Sequence, residues 1–203
     1  MKKHYDIIII GGGMTGLAAA LALAPTQLSI GIVEGHAPKP TQDNNTYDLR
    51  VIAVNQASLT FFNELKVWHN IAAKRVSAFN KMTVWADNSH LEFCAAELNE
   101  PELGFIVENR VIREALWQKV SEQQHIDLLC PCQLTGVEIN QHVTVSSEQQ
   151  TFTCDLIIGA DGANSWLRQQ LDFDMKTRDY NHHALVATVA TEEPHQHTAW
   201  QHF

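Results

Sequence analysis

Residues 4–24 read HYDIIIIGGGMTGLAAALALA, and two readings compete for them. A secretory leader would use Lys2 and Lys3 as its positive start and Ala22-Leu23-Ala24 as its small-residue cleavage site. A nucleotide-binding domain would use the same residues as strand, turn and helix. Asp6 puts a carboxylate at the start of the apolar segment, and Gly11, Gly12 and Gly13 interrupt it. Tyr5 to Ile10 is short and β-branched, whereas Leu17 to Ala24 is rich in Ala and Leu. A leader needs no such switch at a glycine turn, so the strand–turn–helix reading is preferred. A membrane span would need about twenty uninterrupted apolar residues.

The reading extends on both sides. Ile7 to Ile10 is a continuous apolar run, as expected of a strand covered on both faces in a parallel sheet. Met14 to Ala24 reads as a helix stopped by Pro25, and Leu28 to Val33 as a second strand, completing a β-α-β unit. Gly11-Gly12-Gly13-Met14-Thr15-Gly16 fits G-x-G-x-x-G. Gly11 permits the tight turn, Gly13 lets backbone approach a pyrophosphate, and Gly16 lets the helix lie close to the sheet. The pyrophosphate would rest on the helix N-terminus at Met14 and Thr15, where unpaired N–H groups favour an anion. Glu34 closes the second strand at the spacing of a carboxylate that binds ribose hydroxyls. Together these indicate an ADP-containing dinucleotide, and the turn alone does not decide between FAD and NAD.

The 203 residues suffice for one domain and part of a second, and their apolar content is ordinary for a globular chain. A net charge of −9 argues against non-specific binding to nucleic acid or anionic membrane. Among Cys94, Cys130, Cys132 and Cys154 only the C-P-C pair is close, and that is neither a CxxC redox pair nor a zinc knuckle. Reduced thiols and a cytoplasmic setting, with peripheral contact to the inner membrane allowed, are the expectation.

Further along, residues 36–48 read as a surface loop. Asn55 is placed to cap a helix through Ala57, Phe61 and Leu65. Met82 to Trp85 and Leu91 to Phe93 suggest a hairpin across Asp87-Asn88-Ser89, and Phe105 to Val107 a short strand. Val111 to Val120 carries Ile112, Leu116 and Val120 on one helical face. Short strands follow between Ile126 and Phe152, and Ala184 to Ala190 alternates like a last strand. The predicted fold is α/β, Rossmann-like, with a parallel core sheet and the start of an interleaved antiparallel sheet.

A second string, Asp155-Leu-Ile-Ile-Gly-Ala-Asp-Gly-Ala-Asn-Ser165, again runs strand, glycine turn, helix. It sets Asp161 and Gly162 at the carboxyl end of a core strand, the edge where open α/β sheets bind ligands. With GGGMTG, DLRVIAVNQAS around Arg50, VENRVIREALW and DYNHHALVATVATEEP, the chain resembles the flavin-dependent aromatic hydroxylases of ubiquinone biosynthesis. These belong to the wider class similar to p-hydroxybenzoate hydroxylase.

The resemblance implies FAD as cofactor and NAD(P)H as reductant, with one oxygen atom of O2 transferred to the ring of a lipophilic polyprenylated phenol or quinol. It allows association with other ubiquinone-biosynthesis proteins. Gly11, Gly13 and Gly16 would cradle the pyrophosphate and Glu34 the adenosine ribose. Arg50 would contact the cofactor, or else pair with Asp48 at the surface. Asn109 would lie near the cofactor, cap its helix, or do both. Leu134 would offer backbone to the adenine, and Asp161 with Gly162 would serve the pyrophosphate and nicotinamide side. Residues 1–75 and 105–176 would form the cofactor domain, and 77–104 with 177–203 part of the substrate domain. Members of the class are about twice as long and carry a further Gly-Asp motif in their second half, so the 203 residues are expected not to hydroxylate unaided; another flavin-dependent aromatic hydroxylase or oxidase on the same scaffold, or a non-catalytic dinucleotide-binding fragment, is the alternative reading.

Flavin chemistry needs neither triad nor metal. Ser165 lacks a G-x-S-x-G elbow. His182-His183 and His195-Gln196-His197 read as solvent-exposed rather than as ligands, and Trp85, Trp166 and Trp200 as packing residues.

Overall fold

The computed structural model of the chain describes residues 3–38 and 46–203. The middle of the surface loop expected at 36–48 lies outside them. Along the chain run β1 (Lys3–Ile10), α1 (Met14–Leu23), β2 (Ile30–Val33), β3 (Val51–Asn55), α2 (Gln56–Glu64), α3 (Trp68–Ala72), β4 (Val76–Phe79), β5 (Lys81–Ala86) and β6 (Ser89–Cys94). Then come β7 (Gly104–Glu108), α4 (Asn109–Ser121), β8 (Ile126–Leu129), β9 (Leu134–Ile139), β10 (Val143–Ser147), β11 (Thr151–Gly159), α5 (Trp166–Gln170) and β12 (Thr198–His202). They gather into two compact units, Met1–Pro40 with Arg113–His182, and Thr41–Ile112 with His183–Phe203.

The first unit is built on a six-stranded sheet in the order β8-β2-β1-β11-β10-β9. Strands β8, β2, β1 and β11 are parallel, and β10 and β9 add an antiparallel edge. β1 lies inside the sheet, which is why its apolar run does not alternate: Ile7 to Ile10 are all buried. Each such side chain contributes about 1.5–3 kcal/mol on burial. The would-be leader is thus a core strand, with a function for the carboxylate that argued against a leader. Asp6 Oδ2 accepts from both the N–H and the hydroxyl of Ser29, at 2.7 and 2.6 Å, fastening β1 to the entry of β2. That hydroxyl contact also holds the Asp6 carboxyl below its ordinary pKa. α1 buries Leu17, Ala18, Ala20 and Leu21 and stops one residue short of the expected end. Pro25 sits in the first turn of a single 3-10 helix at Ala24–Thr26, where its missing N–H costs nothing.

The second unit holds two three-stranded sheets, β3-β7-β4 and β12-β5-β6. The hairpin is β5–β6, turning through Asp87 at φ +43°. Asn55 caps α2 as expected, its side chain accepting from Ser58 N–H at 2.9 Å. The strand expected at Ala184 to Ala190 is absent. Leu185, Val186 and Val189 are exposed and the stretch pairs with no strand among the described residues. Alternation supplies faces, but a strand also needs a backbone partner. The partner of β5 is instead β12, in parallel register from Thr198↔Lys81 to His202↔Trp85.

Candidate functional site

The glycine turn leaves β1 between two neighbours. Gly11 N–H donates to Val33 O of β2 at 2.8 Å, and Ala160 N–H, beyond β11, donates to Ile10 O at 2.8 Å. Gly11 takes φ +109°, and a Cβ there would sit 2.5 Å from Ala160 O. A Cβ on Gly16 would lie 2.0 Å from Gly11 O, so the helix can approach the turn only with glycine at that position. Gly13 differs from both. Its backbone is ordinary, φ −78° and ψ −177°, and an added Cβ would meet nothing within 4 Å. It is the N-cap of α1, offers no side-chain cap, and the first turn at Met14 and Thr15 carries no acidic residue. Among the described residues no side chain caps this helix end, whose N–H groups face open space, as an anion site requires.

Glu34 ends β2 against this turn. Its Oε2 accepts from Gly12 N–H at 2.7 Å and its Oε1 from His36 N–H at 3.0 Å. This explains a glycine the pattern left free. A Cβ on Gly12 would lie 2.9 Å from Glu34 Cβ, so glycine is what allows the carboxylate in. Arg113, on α4, was not singled out by the sequence. Its Nε donates to Gly12 O at 2.9 Å, its Nη2 to His36 O at 2.8 Å, and Nη2 stands 3.5 Å from Glu34 Oε2.

The second glycine turn faces the first. Gly162 has φ +87° and open space at its Cβ position. Asp161 Oδ2 accepts from Leu167 N–H at 3.1 Å, while Ser165 caps α5 by accepting from Arg168 N–H. Asp161 Oδ1 is buried with no hydrogen-bond partner, an acceptor awaiting a donor. A cavity of about 360 Å³ brings Gly11, Glu34, Leu134 and Asp161 together, with Cys132 and Trp166 in its wall. That volume is in the range of small-molecule sites. Cys132 N–H donates to Glu34 O at 2.9 Å, joining the 130–134 segment to the end of β2. An open helix N-terminus, a carboxylate beside it, an orphaned acceptor and a cavity between them fit the ADP half of a dinucleotide.

Arg50 and Asn109 belong to the second unit and are joined there: Asn109 N–H donates to Arg50 O at 2.9 Å. Arg50 is exposed, and its link to Asp48 runs through its backbone N–H at 3.0 Å rather than through its guanidinium. The 46–50 segment is anchored by residues the sequence reading passed over. Glu108, 6 % exposed, accepts from Asp48 N–H and from Arg110 Nε, both at 2.8 Å. Arg75 Nη2 is 2.8 Å from Glu108 Oε1 while directing its hydrogen bond to Thr46 O. Their clue was a glutamate ending an apolar strand, because a buried carboxylate needs cationic partners.

The thiols are free; burial pushes the Cys130 thiol upward and takes Cys154 to about 11, away from the reactive thiolate. His195 and His197 are neighbours, ring centroids 5.4 Å apart, yet His197 binds Ala78 O. Among the described residues no group of three or more His, Cys, Asp or Glu is arranged to hold a metal ion. No helix among them is long and apolar enough to cross a membrane.

Comparison with known proteins agrees with this geometry. Residues 4–203 match the family model described as FAD binding domain. The 3-demethoxyubiquinol 3-hydroxylase of Escherichia coli (strain K12) is 32% identical over 100% of this chain and 52% of its own length. The mitochondrial ubiquinone biosynthesis monooxygenase COQ6 of Drosophila melanogaster is 32% identical over 99% of this chain and 45% of its own. The chain thus spans about half the length of the curated relatives it matches. Among solved structures, Pseudomonas aeruginosa PqsL superposes with a TM-score of 0.73 at 18% identity, covering 88% of this chain and 48% of that one. The flavin-dependent monooxygenase PieE superposes at 0.68 with 20% identity, covering 83% and 32%. At such identities the likeness establishes the fold, a mixed α/β architecture on a parallel core.

Proposed function

The chain belongs to the FAD binding domain family, and from that premise we propose that it is the cofactor-binding part of an FAD-dependent monooxygenase that hydroxylates the aromatic ring of a polyprenylated phenol or quinol in ubiquinone biosynthesis. The observation that carries the reading is the similarity, along the whole chain, to two relatives named for ubiquinone-ring chemistry. When bound, FAD would supply the redox chemistry that couples two-electron oxidation of NAD(P)H to insertion of one oxygen atom of O2 into the ring, the other oxygen leaving as water.

The residues present serve binding and orientation. Gly11, Gly13 and Gly16, with the N–H groups of Met14 and Thr15, receive the pyrophosphate, whose charge suits the helix N-terminus. Glu34 accepts hydrogen bonds from the adenosine ribose, and the Leu134 backbone meets the adenine. Asp161 and Gly162 close the pyrophosphate side, where the free Oδ1 takes up a donor. Arg50 and Asn109 are proposed as cofactor contacts of the second unit, offering a donor fork and an amide. Functionally we divide the chain into a cofactor domain, 1–75 and 105–176, and part of a substrate domain, 77–104 and 177–203. A lipophilic substrate suits a cytoplasmic protein working against the inner membrane, beside other enzymes of the same route.

The test uses the protein in its natural length. It should purify with a flavin absorption spectrum and consume NAD(P)H and O2 when given a polyprenylated phenol. The product should gain the mass of one oxygen atom. A protein that takes up FAD yet oxidises NAD(P)H without hydroxylating any such phenol would overturn the substrate assignment.

A further inference from the structure

We propose that Arg113 is a positioning residue that presets the carboxylate of Glu34 for the ribose hydroxyls of the adenosine half of the cofactor; this rests on the FAD-binding reading above. Three contacts converge on its guanidinium. Nε holds Gly12 O of the phosphate turn at 2.9 Å, Nη2 holds His36 O beyond β2 at 2.8 Å, and Nη2 stands 3.5 Å from Glu34 Oε2. The same Oε2 accepts Gly12 N–H at 2.7 Å, and Oε1 accepts His36 N–H at 3.0 Å. Arg113 and Glu34 thus bind the same two residues from opposite polarity, the arginine at their carbonyls and the glutamate at their N–H groups. Together they weld the turn after β1 to the loop after β2.

The arrangement is enclosed. The Glu34 and Arg113 side chains are 18 % and 26 % exposed, and the guanidinium carbon lies 5.9 Å from the centre of the Trp117 ring one helical turn on. Gly12 leaves no slack, since even a Cβ there would meet Glu34 at 2.9 Å. A carboxylate held by two N–H donors and a neighbouring cation has a fixed direction, and its remaining lone pairs are aimed before any ligand arrives. Such preorganisation lowers the cost of ordering on binding. Planarity and the number of donors matter here, because one side chain reaches two carbonyls and still faces the carboxylate. A lysine has the charge without the fork.

The test distinguishes this from ordinary structural support through the chemistry of the ribose. Apoprotein of natural length, and its Arg113→Met, Arg113→Lys and Glu34→Gln variants, are titrated with ADP and with 2′,3′-dideoxy-ADP, each competing against FAD uptake. The parent should prefer ADP by about tenfold or more, as charged hydrogen bonds to the hydroxyls would give. Arg113→Met and Glu34→Gln should each lose most of that preference while dideoxy-ADP binds nearly as before, and Arg113→Lys should recover only part of it. Equal weakening toward both nucleotides in Arg113→Met would reduce Arg113 to scaffold and overturn the proposal, as would an unchanged preference. A parent that binds FAD but ignores the ribose hydroxyls would also overturn it. A parent that takes up neither FAD nor ADP would instead refute the cofactor assignment on which the proposal stands.

Discussion

One methyl group, added at two glycines of the same turn, should have opposite consequences. In Gly16→Ala the new Cβ would stand 2.0 Å from Gly11 O and 3.2 Å from Gly11 C, both backbone atoms that no rotamer change can remove. Overpacking of this kind costs about 1–3 kcal/mol, with the upper part of that range expected for a backbone collision. Alanine returns about 1 kcal/mol as the better helix former. The net loss is about 2 kcal/mol, or roughly 4–8 °C in Tm for a chain of this size. In Gly13→Ala the Cβ meets nothing within 4 Å, and φ −78° suits any residue. Losing glycine at an N-cap and stiffening the unfolded chain nearly cancel, so stability should stay within about 1 kcal/mol. The empty space is where the pyrophosphate must approach, so FAD affinity should fall at least about tenfold. Thermal unfolding of the apoprotein and titration of flavin fluorescence separate the two effects. A Gly16→Ala protein as stable as the parent would refute the packing argument. A Gly13→Ala protein with full FAD affinity would show that the anion does not sit there.

Two further outcomes follow from buried polar groups. Burial first, and then the hydrogen bond of its hydroxyl to Asp127 at 2.9 Å, take Tyr5 up to about 12. Its folded pKa lies above the unfolded value, so its contribution is full below pH about 10 and is lost as pH climbs toward about 12. Tyr5→Phe should cost about 1 kcal/mol at neutral pH and flatten that alkaline decline; an unaltered slope in alkaline urea melts would contradict it. Glu108→Gln leaves Arg75 and Arg110 facing an uncharged amide in a site where Glu108 is 6 % exposed, and should cost about 2 kcal/mol in urea unfolding at constant m. Equal stability would mean the arginines find water as readily as they found the carboxylate.

What the sequence made legible was local chemistry with a long-known geometry. The β1–turn–α1 unit, the roles of Gly11 and Gly16, the cap at Asn55, the β5–β6 hairpin and the Asp161 turn all follow from residues close together in the chain. Gly12 and Arg113 were not legible, because their meaning depends on Glu34 and the neighbouring carbonyls, and Arg113 reaches Gly12 from 101 residues away. Likewise β3 and β4 are short, and only their common partner β7 makes them strands. The alternation at 184–190 promised a strand, but a pattern of side chains says nothing of whether a backbone neighbour is present.

The place of β1 in its sheet also sets an order in time. Its neighbours are β2, which follows α1, and β11, whose register pairs Ile10 with Gly159. During synthesis the glycine turn leaves the ribosome well before the backbone at Ala160 that confines it, which arrives near the end of the first unit. Throughout that interval Ile7 to Ile10, an apolar β-branched run, lacks one of its two strand neighbours. Such long-range pairing is slow, and an unpaired strand of this composition is prone to association. Nucleotide should therefore be captured only after residue 160 has emerged, which makes cofactor uptake a report that the sheet has closed.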